Sequence, residues 1–180
     1  MQTWTHVDSE ATFNPAPRVA QFLFVLDRVT EAIGANVPSI VDLAYLRSLP
    51  ANTLGRAWAD ALDSQNLDPF STGARLKQIH DGVHVITGYD TSPIGEAQVQ
   101  LFLLGSKFRP RHGLLFLGLV VPIAKYLGHY QQLDRLYEVV SELLQAFRRG
   151  RQSAFDIQQW HPELAWETPL RQVQKQFNII

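Results

Sequence analysis

The residues best suited to chemistry in this sequence lie between His80 and Glu96. His80 and His84 are four positions apart, so their rings project from one face of a helix, and Asp81 flanks that face. Glu96 follows Gly88, where we expect the helix that carries the histidines to end. Imidazole and carboxylate groups are ligands that bind zinc, iron and manganese. The segment therefore predicts a divalent-metal site made by His80, Asp81, His84 and Glu96.

A mixed nitrogen and oxygen ligand set leaves room for water or substrate on the ion, whereas structural zinc sites are more often closed by cysteine thiolates. The chain has no cysteine, so thiolate sites and disulfides are excluded. Zinc is the favoured ion, with iron and manganese as alternatives. The motif is not the His-Glu-x-x-His of zinc proteases, because Asp81 stands at its second position. A purely structural His-x-x-x-His pair remains the other interpretation.

Two consecutive helices must position these ligands. The helix with the two histidines is predicted to begin at Asp68-Pro69, a cap followed by a first-turn proline. Ser92-Pro93 repeats this pattern and predicts a second helix, which contains Glu96 and ends at Gly105. Because helices joined by a short loop pack side by side, Glu96 can turn back towards the histidines.

The rest of the chain also has the pattern of helices. Apolar residues recur at spacings of three and four, and the sequence has no strand pattern, repeat, phosphate-binding glycine loop or nucleophile elbow. We predict an all-α, single-domain bundle of seven or eight helices over residues 14–180, after an irregular tail over residues 1–13. The further predicted helices cover 14–34, 38–49, 53–62, 113–128 with a kink at Pro122, and 133–147, with short helices near Trp160 and Trp166.

Composition limits the cellular compartments and the binding partners that we expect for this protein. A formal net charge of -1 gives no drive towards nucleic acid. Residues 1–13 contain two acidic residues and no lysine or arginine, unlike a targeting segment. The longest apolar run, 113–124, is shorter than the roughly twenty residues of a membrane-spanning helix. We therefore predict a cytoplasmic protein, with peripheral membrane contact and homodimerisation as open possibilities.

Lys107, Arg109 and Arg111 form a basic patch between two apolar helices. One interpretation is a solvated loop. The other is an anion clamp for a substrate carboxylate or phosphate, which makes these three residues candidates for substrate binding. A second basic group, 148–151, ends the helix predicted over 133–147, where cations suit the helix dipole. Binding of that second group to an anionic membrane is the alternative.

A His-Asp phosphohydrolase is the competing enzyme class, because it also uses an adjacent histidine and aspartate. Such an enzyme needs a further histidine upstream, and in this sequence only His6 precedes the motif. The remaining histidines, His112, His129 and His161, are scattered, and we predict structural or surface roles for them.

The motif His-Asp-x-x-His, followed after eleven residues by glutamate, resembles that of the Coq-four family of ubiquinone (coenzyme Q) biosynthesis proteins. The resemblance extends from about residue 40 to the C-terminus. Thr53-Leu54-Gly55 resembles a stretch that precedes the family's metal motif, and Gly95-Glu96 resembles its Gly-Glu. The matches to its closing segment are Leu164-Ala165-Trp166, Pro169-Leu170, Val173 and Ile179.

The resemblance implies that His80, Asp81, His84 and Glu96 are the metal ligands. It also implies oxidative decarboxylation, at ring carbon one and coupled to hydroxylation, of a prenylated hydroxybenzoate-type quinone precursor. We predict Asp81 as the catalytic residue. The chain departs from the family pattern at three positions where members commonly carry lysine, glutamate and glutamine, namely Gln100, Leu103 and Ser106.

A lipid partner is the second expectation. Family members also look like organisers of other quinone-biosynthesis proteins, so a non-catalytic isoprenoid-lipid-binding scaffold or carrier is the alternative function. The apolar helices over 19–33, 99–104 and 113–127 offer surfaces that could enclose a prenyl tail, beside a basic patch suited to an anionic head. The predicted partners are therefore an isoprenoid or prenylquinone lipid and other quinone-biosynthesis proteins.

Overall fold

The computed structural model describes residue 28, residues 30–129 and residues 135–180. Within these ranges the chain forms eight named α-helices and no strand, which confirms the predicted all-α class. A short 3-10 helix, Pro162–Leu164, precedes the last α-helix. The α-helices are α1 (Leu43–Ser48), α2 (Leu54–Ser64), α3 (Arg75–Gln78), α4 (His80–Thr87), α5 (Pro93–Ser106), α6 (Pro110–His129), α7 (Leu136–Gln152) and α8 (Leu170–Gln176).

The caps predicted on either side of the metal motif are confirmed. Gly88 adopts a left-handed φ of 78°, and its N–H donates to the His84 carbonyl at 2.7 Å, which ends α4. The Ser92 hydroxyl accepts the N–H of Gly95 at 3.2 Å, and Pro93 is the first residue of α5. Local sequence therefore sets the turn between the two helices of the motif.

The predicted long helix from Asp68-Pro69 is wrong. Helical structure begins only at Arg75, and Gly73 has a φ of 96°, which a right-handed helix cannot contain. Ile79, with φ -96° and ψ 2°, then separates α3 from α4. The histidines consequently lie on a short helix of their own, and His80 is its first residue.

Other predicted boundaries shift by several residues. The helix expected over 38–49 begins only at Leu43, because the Asp42 side chain caps it. α6 begins at Pro110, so the second half of the basic patch is helical and not a loop. Pro122 lies inside α6 as expected. The helix predicted over 14–34 falls mostly outside the described residues, and residues 30–32 at its end are helical.

α4 rests on a tightly packed aromatic core. The Trp58 side chain is fully buried, with its ring centroid 6.1 Å from Trp160 in a stacked pair and 5.1 Å from Trp166 in an edge-on pair. A Cβ atom on Gly82 would lie 2.1 Å from the Trp58 ring, so only glycine allows this approach. The core thereby holds the face of α4 opposite to the one that carries the histidines.

A second, smaller apolar cluster joins α5, α6 and α7. Ile94 and Ala97 of α5 lie in it with Ile123 and Leu127 of α6 and Val139 of α7. The other side of α6 remains exposed, and none of the described helices is long and apolar enough to cross a membrane. α5 thus borders the metal motif at its start and the open helix α6 along its length.

Candidate metal centre

His80, His84 and Glu96 converge on one point between α4 and α5. The Nε2 atoms of the two histidines are 3.3 Å apart. The Glu96 carboxylate spans them, with Oε2 3.1 Å from Nε2 of His80 and Oε1 3.3 Å from Nε2 of His84. The prediction that Glu96 turns back towards the histidines is therefore confirmed in the geometry.

These separations fit a divalent ion. In a tetrahedral zinc site, bonds of about 2.0–2.1 Å hold neighbouring ligand atoms roughly 3.3 Å apart. The separation of the two histidine Nε2 atoms, 3.3 Å, matches that spacing, and each Nε2 atom also has one of the two Glu96 carboxylate oxygens at 3.1 or 3.3 Å. Of the described residues, only these three form a group of metal-ligand side chains with mutually close donor atoms. Two imidazoles and one carboxylate can hold an ion and still leave a position for a further ligand.

His80, His84 and Glu96 are called the triad below. Backbone contacts behind it set the orientation of the His84 ring. Its Nδ1–H donates to the Tyr89 carbonyl at 3.1 Å, which leaves Nε2 with a lone pair for a metal. The guanidinium of Arg149 lies 5.2 Å from the centroid of the Tyr89 ring and donates to the Thr87 carbonyl at 2.7 Å. Arg149 also donates to the carbonyl of Ile179 at 2.9 Å. This member of the second basic group therefore braces the end of α4 from within the protein.

The triad also has a distinct electrostatic state. Burial alone would raise the pKa of Glu96, but hydrogen bonds and charge from His80 and His84 outweigh it and hold that pKa well below its usual range. Burial lowers the pKa of His84, and the hydrogen bond and charge of Glu96 reverse this and raise it above the usual value. In the absence of an ion, the Glu96 carboxylate thus stays ionised and favours the protonated form of His84.

Asp81 lies beside the triad without joining it. Its carboxylate is not among the converged donor atoms, although it is partly buried on α4 directly after His80. Burial raises the pKa of Asp81, His80 and His84 oppose that rise, and Glu96 adds to it, so the four groups share one electrostatic environment. Its roles as metal ligand and catalytic residue remain predictions.

A cationic cluster lies next to the triad, about one helical turn further along α5. The Nε–H of Arg111 donates to Nε2 of His112 at 3.4 Å, and Nδ1–H of His112 donates to Oε1 of Gln100 at 3.0 Å. Arg109 pairs with Asp156 at 3.3 Å. Two buried guanidinium atoms, Arg109 Nε and Arg111 Nη2, have no hydrogen-bond partner in the described part of the chain. Such unpaired donors suit an oxyanion.

This cluster borders the candidate metal centre. Gln100 is four residues after Glu96 on α5, so the two side chains share a face. Burial, followed by the charges of Arg111, Arg109 and His80, lowers the pKa of His112 to about 4. His112 is therefore neutral at neutral pH and can accept the hydrogen bond from Arg111. Of the predicted basic patch, Arg109 and Arg111 come together, while Lys107 is exposed at the end of α5.

The three departures from the family pattern fall in different environments. Gln100 belongs to the cationic cluster through His112. Leu103 is 2% exposed in the main core, and the Ser106 hydroxyl donates to the Leu103 carbonyl at 3.1 Å. Sequence reasoning missed His112, Gln100 and Asp156 as site residues. A histidine beside the basic patch was the one available signal, whereas Asp156 is 47 residues away from Arg109 in sequence.

Of the residues that line the two described cavities, Tyr126 alone belongs to a predicted lipid-binding segment. One, of about 300 Å³, is lined by residues of 51–57 and 169–171. Another, of about 230 Å³, is lined mainly by polar residues, among them Asp90, Gln98 and Glu142. An enclosed site for a prenyl tail therefore remains a prediction.

Comparison with known proteins agrees with the motif. Residues 35–180 match the family model described as Coenzyme Q (ubiquinone) biosynthesis protein Coq4. The chain belongs to the Coq4 family. This confirms the resemblance to the Coq-four family, and the match extends over every helix from α1 to α8. The region that contains the candidate metal centre is thus the family's own domain.

Individual Coq4 relatives are distant in sequence. "Ubiquinone biosynthesis protein COQ4, mitochondrial" of Meyerozyma guilliermondii is 30% identical over 145 residues, which are 71% of this chain and 45% of that protein. The bovine COQ4 homolog, also named mitochondrial, is 27% identical over 156 residues, 78% of this chain and 56% of its own. The chain thus matches about half the length of these relatives. Because they are named mitochondrial, the predicted cytoplasmic location remains a prediction.

A solved structure supports the fold. A crystal structure from Nostoc punctiforme, whose description assigns it to ubiquinone biosynthesis, superposes with a TM-score of 0.63. The superposition covers 87% of this chain and 80% of the other, at 19% sequence identity. At this identity the likeness concerns the helical fold.

Proposed function

We propose that this Coq4-family protein acts in quinone biosynthesis by binding one divalent ion through His80, His84 and Glu96, next to the anionic head of a prenylated precursor. The observation that carries the proposal is the convergence of three ligand atoms within 4.8 Å of one another, beside two arginines with unpaired buried donors. Zinc fits this donor set, and iron and manganese accept the same ligands.

The proposed substrate is a prenylated hydroxybenzoate-type ring. Arg109 and Arg111 bind its carboxylate through the free guanidinium donors, and His112 and Gln100 keep Arg111 in place. Lys107, at the exposed edge, attracts the anion from solvent. Together these residues orient ring carbon one towards the triad.

The proposed reaction is oxidative decarboxylation. The bond between ring carbon one and the carboxyl carbon breaks and carbon dioxide leaves. Water supplies the new hydroxyl oxygen, and molecular oxygen, the oxidant, accepts the two electrons and two protons that are released and becomes hydrogen peroxide. A bound divalent ion supplies electrostatic stabilisation of the negative charge that develops. Asp81, beside the triad, is proposed to move the proton that this exchange requires.

A non-catalytic role is the second candidate, because α6 exposes large apolar side chains that an isoprenoid could cover. In this case the protein is a lipid-binding scaffold or carrier that organises other quinone-biosynthesis proteins, as a monomer or a homodimer. The metal would then position the lipid head without turnover.

The test incubates metal-loaded protein with a prenylated hydroxybenzoate under oxygen and follows the decarboxylated product. We expect turnover in the wild type, none with Asp81→Ala, and a larger loss with Arg111→Gln than with Lys107→Gln, because Arg111 has a buried free donor and Lys107 is exposed. No product above a metal-free control, with lipid binding unchanged, contradicts the enzyme and supports the scaffold.

A further inference from the structure

We propose that Asp156, Gln100 and His112 make the arginine pair of the cationic cluster specific for a singly charged oxyanion. A carboxylate head is then accepted, and a doubly charged phosphate monoester is disfavoured. The pair consists of Arg109 and Arg111, which have the two unpaired buried donor atoms. The inference rests on the proposed function, in which this pair binds the substrate head, and adds which head groups the pair accepts.

The two arginines are held by groups of different charge. Nη2 of Arg109 donates to the Asp156 carboxylate at 3.3 Å. Arg111 instead donates through Nε to Nε2 of His112 at 3.4 Å, and Oε1 of Gln100 accepts from that ring at 3.0 Å. A carboxylate cancels the charge of the guanidinium that it orients, whereas a neutral imidazole and an amide orient the guanidinium without cancelling its charge.

This arrangement requires a neutral His112, and the surroundings of the ring keep it neutral. The side chain is buried. Burial, followed by the charges of Arg111 and Arg109, lowers the pKa of His112 to about 4. The two hydrogen bonds fit the neutral tautomer, in which Nδ1–H donates to Gln100 and Nε2 accepts from Arg111. The two arginines and Asp156 therefore sum to one positive charge.

Asp156 sets this balance for both arginines. Its side chain is buried, and Oδ1 accepts the N–H of Gln158 at 3.0 Å, so the carboxylate has a fixed place beside the pair. Burial and the charge of Arg109 lower the pKa of Arg111, and the charge of Asp156 opposes that shift, so Asp156 also acts on the second arginine. Residues 97–133, which contain both arginines, have no aspartate or glutamate of their own.

A site with one net positive charge discriminates between one and two negative charges. A carboxylate neutralises the pair and offers two oxygens to the two free donor atoms. A phosphate monoester has two charges above its second pKa of about 6, so one of them stays uncompensated beside Asp156. The cost of desolvating an ion rises with the square of its charge, whereas its attraction to the site rises only in proportion. The single charge is therefore preferred.

The test measures binding of three soluble probes to the full chain by calorimetry at pH 8. They are benzoate, methyl phenyl phosphate, which is a diester with one charge, and phenyl phosphate, which has two charges. We expect both singly charged probes to bind about tenfold or more tightly than phenyl phosphate. The same order is expected for metal-loaded and chelator-treated protein. Because no turnover is measured, failure of the proposed reaction and failure of this specificity are distinguishable.

Asp156→Asn raises the charge of the site from one to two at nearly unchanged shape. Relative to benzoate, phenyl phosphate should then gain about tenfold or more in affinity. Asp63→Asn is the matched control, because Asp63 forms an ion pair with Arg47 at the surface, and it should keep the wild-type order. Arg111→Gln should remove binding of all three probes, which places them at the cluster.

Several results would overturn the inference. In the wild type, these are phenyl phosphate bound as tightly as benzoate, or no binding of any probe. Among the variants, they are an unchanged order in folded Asp156→Asn, or full binding in Arg111→Gln. A preference that disappears with the chelator also counts against it, because the ion then determines the preference. If Asp156→Asn does not fold in circular dichroism, the three probes on the wild type decide alone.

Discussion

The two helices on either side of α5, α4 and α6, differ in how far their apolar side chains are buried. α4 has Val83 and Ile86 fully buried in the main core, whereas α6 exposes Leu114 and Leu117 to more than three-fifths. The packed helix carries the two histidines, and the open helix begins with the basic residues that border them. Ligand atoms that must stay within tenths of an ångström need a rigid support, and a surface that meets a large apolar partner must remain uncovered.

The histidines on α4 and α6 also differ, because their pKa values are shifted in opposite directions. Burial lowers the pKa of His84 on α4, but the hydrogen bond and charge of Glu96 outweigh it and raise that pKa. Burial, together with the charges of Arg111 and Arg109, lowers the pKa of His112 on α6 to about 4. The comparison separates an anionic metal site from a cationic ligand site only a few residues apart along α5.

The largest effect is expected in the core below α4. Trp58→Ala should lower the free energy of unfolding by about 3–5 kcal/mol, since it leaves a cavity between Trp160 and Trp166. Urea unfolding followed by circular dichroism measures this. A loss below about 1 kcal/mol, typical of surface sites, would contradict the assignment of α4 to a rigid core.

Gly82→Ala tests the contact between that core and the motif. The added Cβ would meet the Trp58 ring at 2.1 Å, so the helix must shift, at a cost of about 1–3 kcal/mol. Because Gly82 lies between His80 and His84, we also expect weaker metal binding in calorimetry. Gly113→Ala on α6 is the control, since a Cβ there meets no atom within 4 Å. Equal stability of the two variants would count against the close packing.

The pH response should separate the two histidines. For His84, with its raised pKa, the stabilisation of the metal-free fold is complete below pH 6.5 and is lost as pH rises through the folded pKa. For His112 the sign is reversed: stability is lost as pH falls from 6.5 towards 4. NMR titration of both rings in metal-free protein should show His84 protonated at a pH where His112 is neutral. The opposite order would refute the comparison.

The smallest effect is expected on the open face of α6. Leu117→Ser should change the free energy of unfolding by no more than about 0.5 kcal/mol, because the side chain is 63% exposed. Thermal unfolding alongside Ile123→Ser, which removes a buried side chain of the same helix, provides the contrast. A large loss with Leu117→Ser would show that the protein itself covers this face.

The sequence predicts those features that are determined by contacts between residues close to one another in the chain. Gly88 and Ser92-Pro93 cap their helices through contacts within four residues, so the turn that brings Glu96 to His84 was predictable. The start of α4 was not, because it depends on the backbone of Gly73 and on packing around Trp58. The sequence around Asp68-Pro69 resembles a helix start, so it does not reveal that the chain is still non-helical at Gly73.

Only part of the cationic site was predictable from the sequence, because the rest depends on contacts between residues far apart in the chain. Arg109 and Arg111 are adjacent to apolar helices in sequence, but Asp156 reaches Arg109 only through the fold. Apolar periodicity likewise predicts α6 as a helix and does not tell which of its sides the protein buries. Long-range packing decides both features.

The central claim is that His80, His84 and Glu96 hold one divalent ion. The most direct measurement is elemental analysis of protein purified with zinc, iron or manganese supplied, for the wild type, His80→Ala, His84→Ala and Glu96→Ala. His161→Ala is the control, because His161 pairs with Glu163 at the surface, outside the site. The account predicts about one ion per wild-type and His161→Ala chain, and loss of most of it in the three site variants with their helical circular dichroism retained. Full occupancy in all three site variants, or no ion in the wild type, would contradict it.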